Sequence, residues 1–437
     1  MASETGAGPS TALLTDHYEL TMLGSALADG TGNRRCVFEV FARRLPGGRR
    51  YGVVAGTARV LEAIADFRFT EAELAQLEST AVVDDATLSW LADYTFSGDI
   101  EGYPEGELYF PGSPILTVRG TFAEAVILET LVLSILNHDS AIASAAARMS
   151  GAANGRPIIE MGGRRTHEYA AVAAARAAYL AGFATTSNLE AGRRYGITTR
   201  GTVAHAFMLL HDNEEQAFRA QIAKMGTDTT LLVDTYDITA GIETAVRVAG
   251  PELGAIRIDS GDVGPLARRA REQLDRLGAK DTRIVVSGDL DEHAIAALRA
   301  EPVDAYGVGT SVVTGSGAPT AGMVYKLVEV EGRPVEKRST HKESRGGRKS
   351  AVRRHRETGT ALEEVIYQAD TVPELGEHDR VLQIPLVRGG QVTGELPTLE
   401  DSRQLLRRGL VSLPWEGLKL SHGEPAIPTM FVSGEKA

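Results

Sequence analysis

His205 and Asp234 are the pair of residues in this sequence best suited to nucleophilic or acid–base chemistry. His205 lies inside the short apolar run 202–207, and Asp234 directly follows the next apolar run along the chain. A carboxylate that fixes the tautomer of an imidazole raises its reactivity as a nucleophile or base. A single histidine in an apolar run is also common as a hydrogen-bonded core residue, so both interpretations of His205 stay open at this point.

The string Arg257-Ile258-Asp259-Ser260-Gly261-Asp262 combines a cation with two carboxylates. Asp259 could accept hydrogen bonds from ribose hydroxyls, and either Asp259 or Asp262 could hold Mg²⁺ on pyrophosphate oxygens. The planar guanidinium of Arg257, at the end of an otherwise apolar strand, suits a carboxylate or phosphate. The alternative is a simple helix start, with Asp259 or Ser260 as the N-cap.

Two glycine-containing turns could bind phosphate through their backbone N–H groups. They are Ser287-Gly288-Asp289 and Gly307-Val308-Gly309-Thr310. Each could also be an ordinary turn, but we expect them on adjacent strands, where they would form one site. The sequence has no GxxxxGK[ST] motif, so a P-loop fold is not supported.

Seven steps of strand followed by helix position these residues. Apolar, β-branched runs are predicted to be strands at 157–161, 183–187, 202–207, 229–233, 255–258, 283–286 and 304–306. Amphipathic helices are predicted at 166–182, 188–195, 213–224, 238–248, 263–277 and 291–299. Such a series implies parallel strands with right-handed crossovers, and seven steps favour an irregular TIM-like βα barrel whose active site lies at the carboxyl ends of the strands.

The two flanks differ from this central pattern and predict a second domain. Strand-like pieces with Gly/Pro turns occur at both ends of the chain, which favours one α+β domain built from 11–125 plus 325–437 beside a barrel at 126–324. We expect the small, polar residues 1–10 to be a disordered tail. The fold class is therefore α/β with a second α/β (α+β) domain.

Composition restricts the partners and the compartment. The net charge of −12 argues against nucleic acid as the main partner, and no apolar run approaches the ~18 residues of a membrane span. Anionic ligands would then need local positive charge, for which Arg164, Arg165, Arg257 and the basic stretch 337–354 are candidates. Cys36 is the single cysteine, which fits a cytoplasmic protein; a free core thiol is favoured over catalysis.

Taken together, the sequence motifs of this chain resemble those of the nicotinate phosphoribosyltransferase family over about residues 11–355. The matching motifs occur in the family's order: Thr15-Asp16-His17-Tyr18-Glu19-Leu20-Thr21-Met22, Gly163-Arg164-Arg165, Thr185-Thr186-Ser187-Asn188, Gly201-Thr202-Val203-Ala204-His205, Val233-Asp234-Thr235-Tyr236-Asp237, Arg257-Ile258-Asp259-Ser260-Gly261-Asp262, Tyr306-Gly307-Val308-Gly309-Thr310 and Val324-Tyr325-Lys326-Leu327. The resemblance implies a type II phosphoribosyltransferase fold and a homodimer with shared active sites.

The resemblance also implies a reaction and the roles of residues. Nicotinate, phosphoribosyl pyrophosphate, ATP and water would give nicotinate mononucleotide, diphosphate, ADP and phosphate, with Mg²⁺, in NAD salvage. His205 would be the phosphorylated histidine, and Asp259 would bind ribose or organise the departing pyrophosphate. The residues implied near substrates are Tyr18 (from the partner subunit), Arg164, Asn188, Thr202, Arg257, Ser260, Gly261, Ser287, Gly288, Gly307, Gly309 and Thr310.

Three departures from the family pattern put local details in doubt. Met161 replaces an aromatic residue before the double arginine, so a thioether would contact the ring. Met323 replaces a glycine, and Gly346-Gly347 replaces Pro-Gly beside a basic loop at 339–350. That loop could close over ATP phosphates or be a solvated, mobile run.

Other functions fit parts of the sequence. A nicotinamide phosphoribosyltransferase would share fold and phosphohistidine, but Asn188 and the double arginine favour the nicotinate branch. Quinolinate phosphoribosyltransferases share the architecture, but they are shorter and do not use ATP. A non-catalytic ligand-binding paralogue is disfavoured by the intact His205, Asp234, Asp259 and Gly309. A barrel lyase would need a lysine at a strand end, and none of the predicted ends carries one.

Overall fold

The chain folds into two compact units in a computed structural model that describes residues 9–337, 345–371, 373–394 and 396–432. The terminal unit comprises Met1–Ala141 and Thr320–Ala437, and the central unit comprises Ile142–Pro319. The sequence prediction put the first boundary before the helix Glu129–Ala153, whereas the observed division falls within it.

Nineteen strands are present in the described residues. In chain order they are β1 (Arg35–Ala42), β2 (Gly52–Val53), β3 (Asp99–Gly102), β4 (Leu108–Tyr109), β5 (Leu116–Thr121), β6 (Ile158–Glu160), β7 (Thr185–Thr186), β8 (Thr230–Leu232), β9 (Ala255–Ile258), β10 (Arg283–Val286), β11 (Ala305–Val308), β12 (Met323–Val330), β13 (Arg333–Pro334), β14 (Lys349–His355), β15 (Ala361–Gln368), β16 (Arg380–Val381), β17 (Ile384–Arg388), β18 (Gln391–Val392) and β19 (Thr429–Val432).

Fifteen α-helices occur in the same ranges. They are α1 (His17–Ala28), α2 (Thr57–Ala65), α3 (Glu71–Ser79), α4 (Asp85–Ala92), α5 (Phe122–Val126), α6 (Glu129–Ala153), α7 (Glu168–Leu180), α8 (Leu189–Tyr195), α9 (His205–Leu210), α10 (Glu214–Met225), α11 (Ile238–Ala249), α12 (Val263–Arg276), α13 (Glu292–Ala297), α14 (Thr310–Val313) and α15 (Leu399–Ser412).

The terminal unit is built on antiparallel sheets. Its largest sheet has the order β13-β12-β1-β5-β3-β17-β18, so strands from both chain ends pair directly. β1 is buried because its apolar residues face packed layers; Phe38 stacks on Tyr325 with ring centroids 4.9 Å apart. Cys36 is buried there, and burial, reinforced by Glu331, raises the pKa of its thiol to about 11. The core interpretation of Cys36 therefore fits better than a nucleophilic one.

The terminal unit also contains a four-stranded sheet (β16-β14-β15-β19), whose buried cations form ion pairs with carboxylates of the unit. The guanidinium of Arg353 is fully buried and contacts Glu107 at 2.6 Å and Glu364 at 2.7 Å. Lys349 is likewise buried, with its ammonium 2.8 Å from Glu39. These cations were predicted to belong to a basic stretch available to anionic ligands. That prediction is wrong for both, since they neutralise internal carboxylates.

The central unit carries a six-stranded parallel sheet with the order β7-β6-β11-β10-β9-β8. The α/β class predicted from the alternating pattern is confirmed. The sheet has six strands rather than seven, and within the described ranges no ladder pairs β7 with β8. The segment predicted as a strand at 202–207 is instead a loop followed by α9, and only an isolated bridge joins Thr186 to Thr199 nearby.

The misplaced strand has a physical explanation. Residues 202–207 mix small and apolar side chains as a strand does. The overlapping run Ala206-Phe207-Met208-Leu209-Leu210, however, is rich in strong helix formers. Only Met208 of that run is fully buried, while Leu209 and Leu210 are exposed, so the segment has one buried face rather than the two faces of a central strand.

One segment, Phe122–Ala153, is long and apolar enough to cross a membrane by length and composition alone. About two-thirds of its apolar window, 67%, is buried inside the protein. This is the behaviour of a core helix, for which a long apolar sequence is also expected.

Candidate active site

His205 and Asp234 meet at the carboxyl-terminal side of the parallel sheet of the central unit. His205 is the first residue of α9, and Asp234 follows β8 by two residues. The imidazole Nε2 donates to Oδ1 of Asp234 over 3.2 Å. The side chain of Asp234 is 1% exposed, whereas that of His205 is 41% exposed. The histidine is therefore held by a buried carboxylate and still open to a ligand, so the core interpretation of His205 is not supported.

Asp234 is fixed from its other side as well. Its Oδ2 accepts hydrogen bonds from the backbone N–H of Asp259 and from the hydroxyl of Ser260, both at 2.8 Å. The loop after β9 thus locks the carboxylate that orients His205. Asp262, not Asp259 or Ser260, is the N-cap of α12. The capping alternative for Asp259 and Ser260 is therefore wrong, and both side chains are engaged within the site.

Arg257, Asp259 and Ser287 form the second half of the network. Arg257 donates from Nε to the hydroxyl of Ser287 and from Nη2 to Oδ1 of Asp259, each over 2.8 Å. The Ser287 hydroxyl also donates to Asp259 Oδ1. Partial burial would raise the pKa of Asp259, but the hydrogen bonds from Ser287 and Arg257, with the charges of Arg257 and His205, hold it below its usual value. Asp259 is thus kept as a carboxylate.

Metal-binding capacity at this point is limited. Across the described residues, no group of three or more His, Cys, Asp or Glu side chains is arranged to hold a metal ion. Asp259 keeps Oδ2 without a hydrogen bond from the described residues, and Asp262 is exposed. Mg²⁺ often binds to one or two carboxylates together with substrate phosphates. The residues present fit that mode and do not fit an all-protein cage.

The predicted phosphate turns lie on the adjacent strands β10 and β11. Gly288 has a φ of 127°, which favours glycine. A Cβ on Gly307 would lie 2.8 Å from Sδ of Met161 and 3.0 Å from Cβ of Ser287, so the missing side chain leaves room for the thioether. Gly309 and Thr310 lead into α14, and their N–H groups donate to no acceptor within the described part of the chain.

The other predicted residues of the central unit lie in loops after β6 and β7. Asn188 is the N-cap of α8, with Oδ1 accepting from Ala191 N at 2.9 Å, which directs its amide nitrogen towards Gly163. Arg164 is exposed, as is Thr202 in the loop that replaces the predicted strand. Gly261, with φ of 84°, ends the Asp259-Ser260 loop.

Glu160 is a buried site residue that the sequence analysis missed. It ends β6 with 1% exposure, and its carboxylate accepts hydrogen bonds from Gly162 N and from the Thr186 hydroxyl. Burial raises the pKa of Glu160, while those two hydrogen bonds act in the opposite direction. The sequence signal was an acidic residue ending an apolar strand, Ile158-Ile159-Glu160.

Tyr18 belongs to the terminal unit, on the first turn of α1. Its side chain is 45% exposed, and its hydroxyl bonds to Glu129. Partial burial, followed by the charges of Glu129 and Glu19, raises the pKa of Tyr18 to about 12. Its exposed ring leaves it free to contact a ligand or a second subunit.

The remaining departures lie in the terminal unit. Met323 is buried, and its backbone N–H and C=O bond to the side chain of Asn137 at 2.8 and 3.2 Å. Gly347 has φ of 82° and donates to Val328 O at 2.7 Å, so the Gly-Gly pair forms a tight turn. Part of the basic loop at 339–350, residues 339–344, lies outside the described residues.

Family models match the first segment of the terminal unit and nearly all of the central unit. The model of the nicotinate phosphoribosyltransferase (NAPRTase) N-terminal domain matches residues 13–137. The model of the quinolinate phosphoribosyl transferase C-terminal domain matches residues 142–316. These ranges lie in the terminal and central units, respectively, so the family similarity includes the whole parallel sheet.

Individual proteins are similar over nearly the full length. Nicotinate phosphoribosyltransferase pncB1 of Mycobacterium tuberculosis is 66% identical over 96% of this chain and 95% of its own length. The human nicotinate phosphoribosyltransferase is 30% identical, covering 93% and 92%. The crystal structure of human nicotinic acid phosphoribosyltransferase matches with a TM-score of 0.83 at 26% identity, covering 97% and 98% of the two chains. With these matches and the strand-end site, the chain belongs to the nicotinate phosphoribosyltransferase family.

Proposed function

We propose that this protein is an ATP-coupled nicotinate phosphoribosyltransferase of NAD salvage. It converts nicotinate, phosphoribosyl pyrophosphate, ATP and water into nicotinate mononucleotide, diphosphate, ADP and phosphate. The observation that carries the proposal is the half-exposed His205 held by the buried Asp234 in the same network as Arg257 and Asp259. The names of its similar proteins support the base and the phosphoribosyl group.

His205 acts as the phosphoryl acceptor in this proposal. Because Nε2 donates to Asp234, the lone pair lies on Nδ1, which has no hydrogen-bond partner in the described residues. Nδ1 attacks the γ-phosphorus of ATP, the bond to the β,γ-bridging oxygen breaks, and ADP leaves. Asp234 stabilises the cationic imidazole as the N–P bond forms. Water later attacks the phosphohistidine and releases inorganic phosphate.

The arginine network receives nicotinate in the proposed complex. Nη1 of Arg257 has no acceptor among the described residues, while Nε and Nη2 are held by Ser287 and Asp259. The free nitrogen can donate to the pyridine carboxylate. Thr202, Arg164 and Asn188 are assigned to the surroundings of the same substrate, and Tyr18 to the ring from the partner subunit.

Transfer occurs at C1 of the ribose. The pyridine nitrogen forms the new C–N bond as the C–O bond to pyrophosphate breaks through an oxocarbenium-like centre. Oδ2 of Asp259 faces the ribose and stabilises this positive charge. The N–H groups of Gly309 and Thr310 hold the 5′-phosphate, with Gly307, Gly288 and Gly261 shaping the turns. Asp259 or Asp262 would hold Mg²⁺ together with the pyrophosphate oxygens, and the metal would supply positive charge beside the leaving group.

The proposal includes a cytoplasmic homodimer with shared active sites. Each unit exposes large apolar side chains that a partner would cover: Leu13, Leu14 and Tyr18 in the terminal unit, and Leu209, Leu210 and Tyr236 in the central unit. Exposed apolar side chains of this kind are typical of interaction surfaces.

Turnover assays with matched substrates test this function. Purified protein is given phosphoribosyl pyrophosphate and Mg²⁺ with nicotinate or nicotinamide, each with and without ATP. We expect the nucleotide product from nicotinate, a marked gain with ATP, and little product from nicotinamide. γ-Labelled ATP should leave acid-labile label on the wild type and none on His205→Ala. Equal use of both bases would reassign the substrate, and full labelling of His205→Ala would remove the histidine from the mechanism.

A further inference from the structure

Glu160 is a buried carboxylate that none of the proposed steps uses. It is 1% exposed at the end of β6, and no ion-pair partner for it occurs among the described residues. Oε1 accepts the N–H of Gly162, and Oε2 accepts the hydroxyl of Thr186 over 2.6 Å. A buried carboxylate without a counter-ion is costly, so its two hydrogen bonds must be well placed.

The Thr186 arm of this arrangement continues to Asn188. The Oγ1 of Thr186 accepts the backbone N–H of Asn188 over 3.0 Å, and the backbone oxygen of Glu160 accepts the N–H of Ser187 over 2.8 Å. Asn188 then caps α8 through its side chain. Thr186 and Ser187 therefore bond directly to Glu160, and Asn188 bonds to it through the Thr186 hydroxyl.

The Gly162 arm reaches the turn before α14. A Cβ on Gly162 would lie 2.2 Å from Cγ1 of Val313, 3.0 Å from the carbonyl oxygen of Gly309 and 3.0 Å from Oε1 of Glu160. Gly162 is therefore packed between the carboxylate and the turn that contains Gly309. Gly162 lies two residues before Arg164 in the loop after β6, so the position of its backbone also sets the position of Arg164.

A glutamine could not make the same contacts. Both donors, an N–H and a hydroxyl, come from neighbouring loops and need two acceptor oxygens on one side chain. A glutamine of the same size offers one acceptor, and its NH₂ group would face the Thr186 hydroxyl. That oxygen could accept a second hydrogen bond beside the one from Asn188, but the buried O–H would lose its own acceptor. The requirement for two acceptors explains why a carboxylate occupies this apolar strand end.

We propose that Glu160 is a positioning residue that holds three substrate loops in register, those carrying Arg164, Asn188 and Gly309. The inference rests on the proposed function, since it assigns these loops to substrates. Glu160 itself touches no reacting atom. It acts by fixing Gly162 and Thr186, and its loss displaces the groups that bind nicotinate and the 5′-phosphate.

The test compares Glu160→Gln and Thr186→Val with Gln221→Met. Gln221 is a buried polar residue of α10, and its amide nitrogen donates to the Thr229 hydroxyl and to the Thr230 carbonyl oxygen at the amino-terminal end of β8, each over 2.9 Å. All three variants lose buried hydrogen bonds, but only the first two lie at the site. We expect Glu160→Gln and Thr186→Val to lower kcat/KM for nicotinate and phosphoribosyl pyrophosphate by about 10- to 100-fold, since small misplacements have effects of that size.

Three further readouts separate positioning from a loss of stability. Gln221→Met should lower the Tm while leaving kcat/KM within about twofold of wild type. Thr186→Ser, which keeps the hydroxyl, should restore activity. The double variant Glu160→Gln/Thr186→Val should be little worse than either single variant, because both changes break one linkage. Additive effects, or a kcat/KM unchanged by Thr186→Val, would overturn the inference.

Failure of the proposed function gives a different result. In that case the wild type itself shows no turnover with nicotinate. Calorimetric titration with phosphoribosyl pyrophosphate then decides the positioning role without catalysis. Tight binding by the wild type and weaker binding by Thr186→Val supports it, while equal affinities, or no binding by the wild type, overturns it.

Discussion

The imidazole of His205 and the carboxylate of Asp234 are 3.2 Å apart, and the loop after β9 holds that carboxylate from its opposite side. The side chain of Asp234 is 1% exposed, so three hydrogen bonds share the two oxygens of a buried carboxylate, while the imidazole stays open. This arrangement fixes both the orientation and the tautomer of the imidazole, and it leaves Nδ1 as the nitrogen that faces a ligand.

Asp234→Asn should slow phosphorylation of His205 by about 10²- to 10⁴-fold, because an amide cannot hold the required tautomer or stabilise the cation. Rapid-quench measurement of acid-labile phosphate from labelled ATP gives the rate. Asp237→Asn serves as the control, since Asp237 caps α11 at an exposed position. Wild-type labelling by Asp234→Asn would show that the pair has no role in tautomer control.

The pairing of His205 with Asp234 could be predicted from the sequence, although the strand predicted to carry His205 is a loop followed by α9. The prediction required only that successive polar ends of parallel strands meet at one edge, and α9 begins at that edge. Six of the seven strands occur; β8 to β11 carry short, mostly buried apolar runs, whereas β7 is only the pair Thr185–Thr186. The segment 202–207 failed because strand-like alternation over six residues does not outweigh the helix formers that follow it.

Other features could not be found from the sequence. A single glutamate at a strand end, such as Glu160, looks the same whether it is solvated or buried under two loops. The burial of Lys349 and Arg353 depends on Glu39 and Glu107, which are far away in the chain, and on Glu364 of the neighbouring strand β15. A local basic stretch therefore suggested a ligand surface where tertiary contacts form internal ion pairs.

Arg257→Lys should raise KM for nicotinate by about 100-fold and leave KM for ATP within about twofold. A lysine lacks the fork that holds Ser287 and Asp259 while leaving Nη1 for the substrate carboxylate. Steady-state kinetics with both substrates measure the change. Nicotinamide, which has no carboxylate, provides the comparison: its poor turnover should change far less than that of nicotinate. An unchanged KM for nicotinate would remove Arg257 from the base site.

Gly162→Ala should weaken phosphoribosyl pyrophosphate binding by about tenfold or more, since the new Cβ would lie 2.2 Å from a stiff valine, Val313, beside the Gly309 turn. Gly163→Ala is the matched control, because its Cβ would meet only the Asn188 amide nitrogen at 4.0 Å. Isothermal titration compares the two variants. Equal affinities would mean that the turn before α14 tolerates displacement.

Tyr18→Ala and His205→Ala should complement each other if Tyr18 acts in the partner's active site. Each pure homodimer lacks one required residue in both sites. After mixing and subunit exchange, half of the dimers are mixed and carry one intact site, which gives about a quarter of wild-type activity. The exposed Tyr18 ring makes this contact sterically available. Activity that stays at the level of the separate variants would place Tyr18 in its own subunit's site or outside the site.

The buried Glu107 should make the terminal unit sensitive to acid. Burial favours the neutral form, but ion pairs and hydrogen bonds with Arg353 and Arg380 outweigh it and lower the pKa of Glu107 below 4.5. A depressed folded-state pKa stabilises the protein above the unfolded value, and this contribution is lost as the pH falls through the folded value. Glu107→Gln should therefore lower the free energy of unfolding, measured by urea titration at pH 7, by about 3–5 kcal/mol, the cost of breaking a buried ion pair. The difference in unfolding free energy between this variant and the wild type should narrow below pH ~4.5. A difference that does not change with pH would contradict a stabilising role for ionised Glu107.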